Sequence, residues 1–157
     1  MDFFEAVKSN NLPEVQRFLA THDPTMDNNF ALAWASEFGH LDLLNLLLTD
    51  SRVNPAAGDN YAIVHATLNG HTKIVARLLE DPRVDPHVDR NAVFCFAVQY
   101  EHVDLVKFLL ASPRIILDCD TIDYTRLIAK RNKSTEILAL FRADRRFPRL
   151  MFRCVCF

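Results

Sequence analysis

Histidine recurs at positions 40, 71 and 102, each 31 residues after the last, and three imidazoles in one register raise the question of a shared zinc ion. The interval argues against it. If 31 residues make one structural repeat, neighbouring helices lie about 8–10 Å apart, whereas ligands of one zinc ion each sit about 2 Å from it. The three histidines are instead expected to close turns by hydrogen bonding, and His65 to take a core or rim position on a helix. Arginine keeps the same interval at Arg52, Arg83 and Arg114, with Asp50 and Asp81 two residues ahead of the first two. A planar guanidinium could dock an acidic partner, but the interleaved acids predict a solvated ladder tying adjacent loops together. No Gly-rich phosphate loop, H-E-x-x-H, G-x-S-x-G or spaced CxxC pair occurs. Glu37, Asp42 and Asp104 fall on helices whose packing already explains them. No catalytic residue, no metal and no cofactor is expected, and the chain is read as a non-enzyme.

The elements that would carry these side chains are repeated. FALAWASEFGHLDLLNLLLTDSRVNP at 30–55 returns as YAIVHATLNGHTKIVARLLEDPRVDP at 61–86, and more loosely at 92–117. Ala35, Ala66 and Ala97 keep the interval too, and a period in this range means a solenoid. Each repeat reads as two short helices and a turn. Leu32, Ala35 and Phe38 lie at helical spacing, Gly39 and His40 interrupt, and Leu43, Leu44, Leu46, Leu47 and Leu48 form a second apolar run. In the fourth repeat Glu101 stands where glycine is expected. Pro55, Pro82 and Pro86 exclude helix from the connections. Phe3 and Ala6 match Leu32 and Ala35 at an offset of 29, while Tyr124, Ala129 and Ile137 match Tyr61, Ala66 and Ile74 at 63, which gives about five repeats.

On these residues the chain resembles an ankyrin-repeat protein of a divergent, short-repeat type, like those of expanded families in protists, fungi and large DNA viruses. The resemblance covers nearly all of the chain. It rests on the first-helix alanines, the junctions Gly39-His40 and Gly70-His71, the paired leucines, and Val53-Asn54 and Val84-Asp85 in the connections. FALA, YAIV and AVFC replace the family's T-P-L-H, and the repeat is about two residues shorter than usual. A tetratricopeptide array also pairs helices, but it predicts about 34 residues per repeat and no Pro-rich loop. The implied fold class is all-α, an ankyrin-like solenoid of about five helix-turn-helix units with short finger loops. It occupies residues 1–143, with repeats near 1–25, 26–56, 57–87, 88–119 and 120–143, followed by a basic, Cys-containing tail at 144–157.

The resemblance implies a scaffold or adaptor that binds another protein through the concave face of the stack. Carried over by alignment, that face holds Glu37, Phe38, Leu68, Asn69, Gln99 and Tyr100, with Asn60 and Asn91 among the finger-tip residues as polar rim. Phe38, Leu68 and Tyr100 would form an apolar stripe if exposed, or extra core if Phe38 and Leu68 tuck under neighbouring helices. Composition fits a protein partner better than nucleic acid: 18 basic and 20 acidic side chains give a formal charge of -2. MDFFEAVK lacks the pattern of a secretory signal, apolar stretches fall short of about 18 residues, and four irregular cysteines suit a reducing compartment. A cytoplasmic monomer is expected, with the nucleus also open to it. The alternative is a membrane-tethered adaptor, in which Cys154 is lipidated in the C-terminal CVCF and the arginines before it supply the second anchor.

Overall fold

The computed structural model describes residues 2–21 and 23–147, without the side chains of Asp27 and Asn28. Ten helices are present among the described residues: α1 (Phe3–Lys8), α2 (Leu12–Leu19), α3 (Met26–Glu37), α4 (Leu41–Leu48), α5 (Ala57–Leu68), α6 (Thr72–Leu79), α7 (Val88–Gln99), α8 (Val103–Ala111), α9 (Cys119–Arg131) and α10 (Thr135–Ala143). They form two compact units, an N-terminal one of Met1–Asp85 with three helix pairs and a C-terminal one of Pro86–Phe157 with two. The chain is all-α over the described residues, and no described helix is long and apolar enough to cross a membrane.

One turn geometry closes all five pairs. A residue in the left-handed region reverses the chain: Asn10, Gly39, Gly70, Glu101 and Lys133 have φ of 54°, 79°, 72°, 59° and 59°. The N–H of the next residue then bonds back to the last turn of the first helix. Asn11, His40, His71 and His102 donate at 2.9 Å to the carbonyls of Ala6, Ala35, Ala66 and Ala97, and Ser134 donates at 3.0 Å to that of Ala129. All five alanine side chains are 0% exposed, so the smallest side chain lets the helices approach while its carbonyl anchors the turn. Glu101 adopts the left-handed conformation despite its Cβ. Gly39 is more constrained, because a Cβ there would lie 2.8 Å from Cε1 of His71.

The second helices bury Leu43, Leu44 and Leu47, then Ile74, Val75, Leu78 and Leu79, and in the C-terminal unit Leu105, Val106 and Leu109, then Ile137 and Phe141. Each such side chain stabilises by about 1.5–3 kcal/mol. Val53, Val84, Ile115 and Phe147 close the core below the connections.

The aspartate and arginine ahead of three of these residues form a tight fork. Asp50 Oδ1 accepts from Arg52 N at 3.0 Å and Nε at 2.9 Å, and Oδ2 accepts from Nη2 at 2.6 Å. Asp81 and Arg83 repeat this at 2.9, 3.0 and 2.8 Å, and Asp144 and Arg146 at 2.8, 3.0 and 2.6 Å. Where a ladder between fingers is expected, each of these carboxylates instead forms a clamp with the arginine of its own loop, since a partner two residues away costs less chain entropy to hold. Arg52 Nη2 also reaches the Leu19 carbonyl at 3.5 Å. The third clamp lies where the basic tail was expected to begin. There Arg146 also donates to the carbonyls of Leu110 and Ile115, and Phe147 stacks on Phe141 with centroids 4.0 Å apart. Cys154 and the rest of 148–157 lie outside the described residues.

The clamps predict acid sensitivity. Hydrogen bonds from the Arg52 side chain, then its backbone N–H, lower the Asp50 carboxyl from 3.8 to about 2, and Asp81 and Asp144 shift the same way through Arg83 and Arg146. Unfolding restores the ordinary value, so this stabilisation is complete above about pH 4 and is lost as pH falls towards about 2. Urea midpoints across that range should fall more gently for Asp50→Asn than for wild type. The turns predict a second contrast in the same assay. Lys133→Gly should gain roughly 0.5–1 kcal/mol, whereas Gly39→Ala should cost more than the left-handed penalty of about 1–2 kcal/mol, because His71 is in the way.

Candidate functional site

The first helices of the N-terminal unit carry an aromatic surface. Phe30 and Trp34 on α3 and Phe38 at its C-cap occur at i, i+4 and i+8 and therefore share one face, and Tyr61 and His65 on α5 and Asn69 at its C-cap hold the same positions. Their rings are in contact across three helices. Trp34 packs edge-on against Phe4 of α1 at 5.1 Å and against Phe30 at 5.4 Å, Phe30 lies 6.0 Å from Tyr61, and Tyr61 stacks on His65 at 3.9 Å. Charges border the rings: Lys8 Nζ sits 4.2 Å from the Trp34 centroid, and Glu37 Oε2 is 3.4 Å from His65 Nδ1. Phe30, Phe38 and Tyr61 stay exposed, Phe38 at 45%. Between Phe30 and Tyr61, with Pro55 and Gly58, lies a shallow cavity of about 180 Å³.

The residues singled out from sequence distribute unevenly. Phe38 and Asn69 are exposed, Glu37 and Leu68 are half-buried, and all four belong to the N-terminal unit. Gln99 is half-buried and Tyr100 exposed in the C-terminal unit, where Tyr100 lies 6.3 Å from Phe96 and from His102. Asn60 and Asn91 are not rim residues: they are 8% and 6% exposed. Both have φ of 63°, as does Asn29, and each ends a left-handed turn that carries its amide inward. Asn29 and Asn60 accept, through Oδ1, the N–H groups of Asn54 at 3.0 Å and Asp85 at 2.7 Å. These amides satisfy backbone donors of the following connection, which would otherwise lack a partner.

The histidines also act across pairs rather than within their own turns. His40 Nε2 donates to the Lys8 carbonyl at 3.0 Å and His71 Nε2 to the Glu37 carbonyl at 2.9 Å, which places the proton of each ring on Nε2. No group of three potential metal-ligating side chains converges among the described residues. Sequence reasoning passed over Phe30, Trp34, Tyr61 and Phe96 as surface residues. The signal was present, in aromatics spaced four apart on a helix whose alanine marks the opposite, buried side.

Comparison with known protein families, with curated proteins and with solved structures finds no match to this chain.

Cys95 on α7 is half-buried, and burial, reinforced by the Asp118 charge, pushes its thiol up to about 11. At neutral pH it holds its proton and makes no nucleophile. With the other three cysteines replaced by serine, iodoacetamide should modify Cys95 slowly until the pH approaches about 11, and rapid modification near neutrality would contradict this.

Proposed function

We propose that this chain is a non-catalytic protein-binding module of the ankyrin-like kind, a solenoid of about five helix pairs that engages a partner protein through the concave face of the stack, formed by the exposed side of its first helices. The observation that carries the reading is the run of touching aromatic rings across α1, α3 and α5, left partly exposed although the adjoining helix faces are fully packed. Rigid aromatic side chains bury much area with few rotors to freeze, which is why they serve as interface anchors. Phe30, Phe38 and Tyr61 are the anchors in the N-terminal unit, with Leu68 beside them and Glu37 and Asn69 as rim. Tyr100 is the anchor in the C-terminal unit, with Gln99 beside it. Asn60 and Asn91 serve the fold instead. The ankyrin-like reading is supported by the 31-residue interval of the left-handed turns and the buried alanines. The proposal includes a monomer that binds neither nucleic acid nor a cofactor.

Affinity capture with mass-spectrometric identification tests this, comparing wild type with a Phe38→Ala, Tyr61→Ala variant whose fold is checked by circular dichroism. Recovery of a specific partner should fall by about tenfold or more in the variant. A partner recovered equally by both proteins would sink the aromatic face as the binding site.

A further inference from the structure

Three backbone N–H groups hold corresponding places in the connections, those of Asn54, Asp85 and Ile116, at the 31-residue interval. The first two are received by amide oxygens, Asn29 Oδ1 at 3.0 Å and Asn60 Oδ1 at 2.7 Å. The third takes a different acceptor. Ile116 N–H donates at 2.9 Å to Nε2 of His87, a residue that stands where the preceding repeat has Ala56, while the Asn91 amide is bonded to Thr121 Oγ1 at 2.9 Å.

The change of acceptor brings a dependence on protons. An amide oxygen accepts whatever the pH, whereas an imidazole nitrogen accepts only while it is bare. The bond therefore fixes the state of the His87 ring, with Nε2 bare and the single proton on Nδ1. His40 and His71 have the opposite polarity. They donate through Nε2 to the carbonyls of Lys8 and Glu37, at 3.0 and 2.9 Å, and a donor survives when the ring gains a second proton. At His87 the same proton would occupy the accepting position.

We infer that His87 is a pH-sensitive latch on the connection between α8 and α9, holding Ile116 while the ring is neutral and releasing it when the ring is protonated. The connection is held at higher pH and released as pH falls from about 8 to about 5, the span in which histidines gain their charge. Asp118, the N-cap of α9, draws the charged ring: hydrogen bonding to Thr121 and then the His87 charge hold its carboxyl below the ordinary value. The other charges on the segments about the ring are Asp85 just before it in the chain, Asp89 and Arg90 in the turn that opens α7, Arg114 on the connection, and Asp120 in the first turn of α9. Release is local. Ile115 stays in the core, with its carbonyl receiving Arg146, and Asp118 stays on α9 through the Thr121 N–H at 2.7 Å. The part set free is Ile116, already 72% exposed, and Leu117.

The test is a pH series on the full ¹⁵N-labelled chain between about pH 8 and about pH 5, reading the coupling that an N–H···N hydrogen bond transmits between its two nitrogens. Ile116 N and His87 Nε2 should be coupled at the upper end, and the coupling should vanish as the Nε2 signal reports protonation. Amide exchange at Ile116, corrected for the intrinsic effect of pH, should rise by about tenfold or more over the same span, while Asn54 and Asp85 keep their protection. His87→Ala should leave the Ile116 N–H as unprotected at about pH 8 as the wild-type one is at about pH 5. Four results would each overturn the inference: no coupling at the upper end, an Nε2 still bare at about pH 5, Ile116 protection that survives ring protonation or the alanine variant, or loss of protection at Asn54 and Asp85 in step with Ile116.

Discussion

Short helices leave much of their backbone unpaired, and the helices here run from 6 to 13 residues. Four carbonyls at each C-terminus and four N–H groups at each N-terminus need partners from elsewhere, and helices of this length are marginal in isolation. The chain meets that constraint with bonds between neighbouring pairs. First-helix carbonyls at Lys8, Glu37 and Gln99 accept from His40, His71 and Asn132 of the pair that follows. The connections are held by Asn29 and Asn60, and Arg52 and Arg146 reach back to carbonyls at the ends of α2 and α8. Apolar burial supplies most of the stabilisation, but these polar bonds set the register in which one pair lies against the next.

That division of labour decides which surface is left over. Second helices turn their apolar faces to the core, and the alanine side of each first helix is buried. The remaining face of α3 and α5 makes no core, yet it carries aromatic rings where a solvated helix would carry charge. Contiguous exposed aromatics have a cost in solubility that a surface without a partner has no reason to bear. The proposed function follows from this exception to the pattern.

The parts of the fold that sequence made legible are those set by local pattern. Alanine at 35, 66 and 97, the Gly39-His40 turn and the leucine pairs each follow from helical spacing and the left-handed preference of glycine, so pairing and core fall where expected. Partners about 25 to 34 residues away were not legible. Nothing in the local pattern says that His71 bonds the Glu37 carbonyl, or that Asn60 turns inward to Asp85. The clamp at Asp144 and Arg146 was masked by a one-residue shift in the last interval, which made a structural arginine look like part of a basic tail. Even so, a trace of cross-pair packing was present in the residue types. Gly39 faces the His71 ring, whereas Glu101, which has a side chain at the equivalent place, faces Ser134.

Native-state hydrogen exchange is the most direct test that cross-pair bonds set the register. The N–H groups of Asn54 and Asp85 sit in loops, where exchange is ordinarily fast, but the account places them on the side-chain oxygens of Asn29 and Asn60. Both should be protected to within about tenfold of the neighbouring helix amides, and Asn60→Ala should release Asp85 while leaving Asn54 protected. Exchange of both at unprotected loop rates in the wild-type chain would contradict the account.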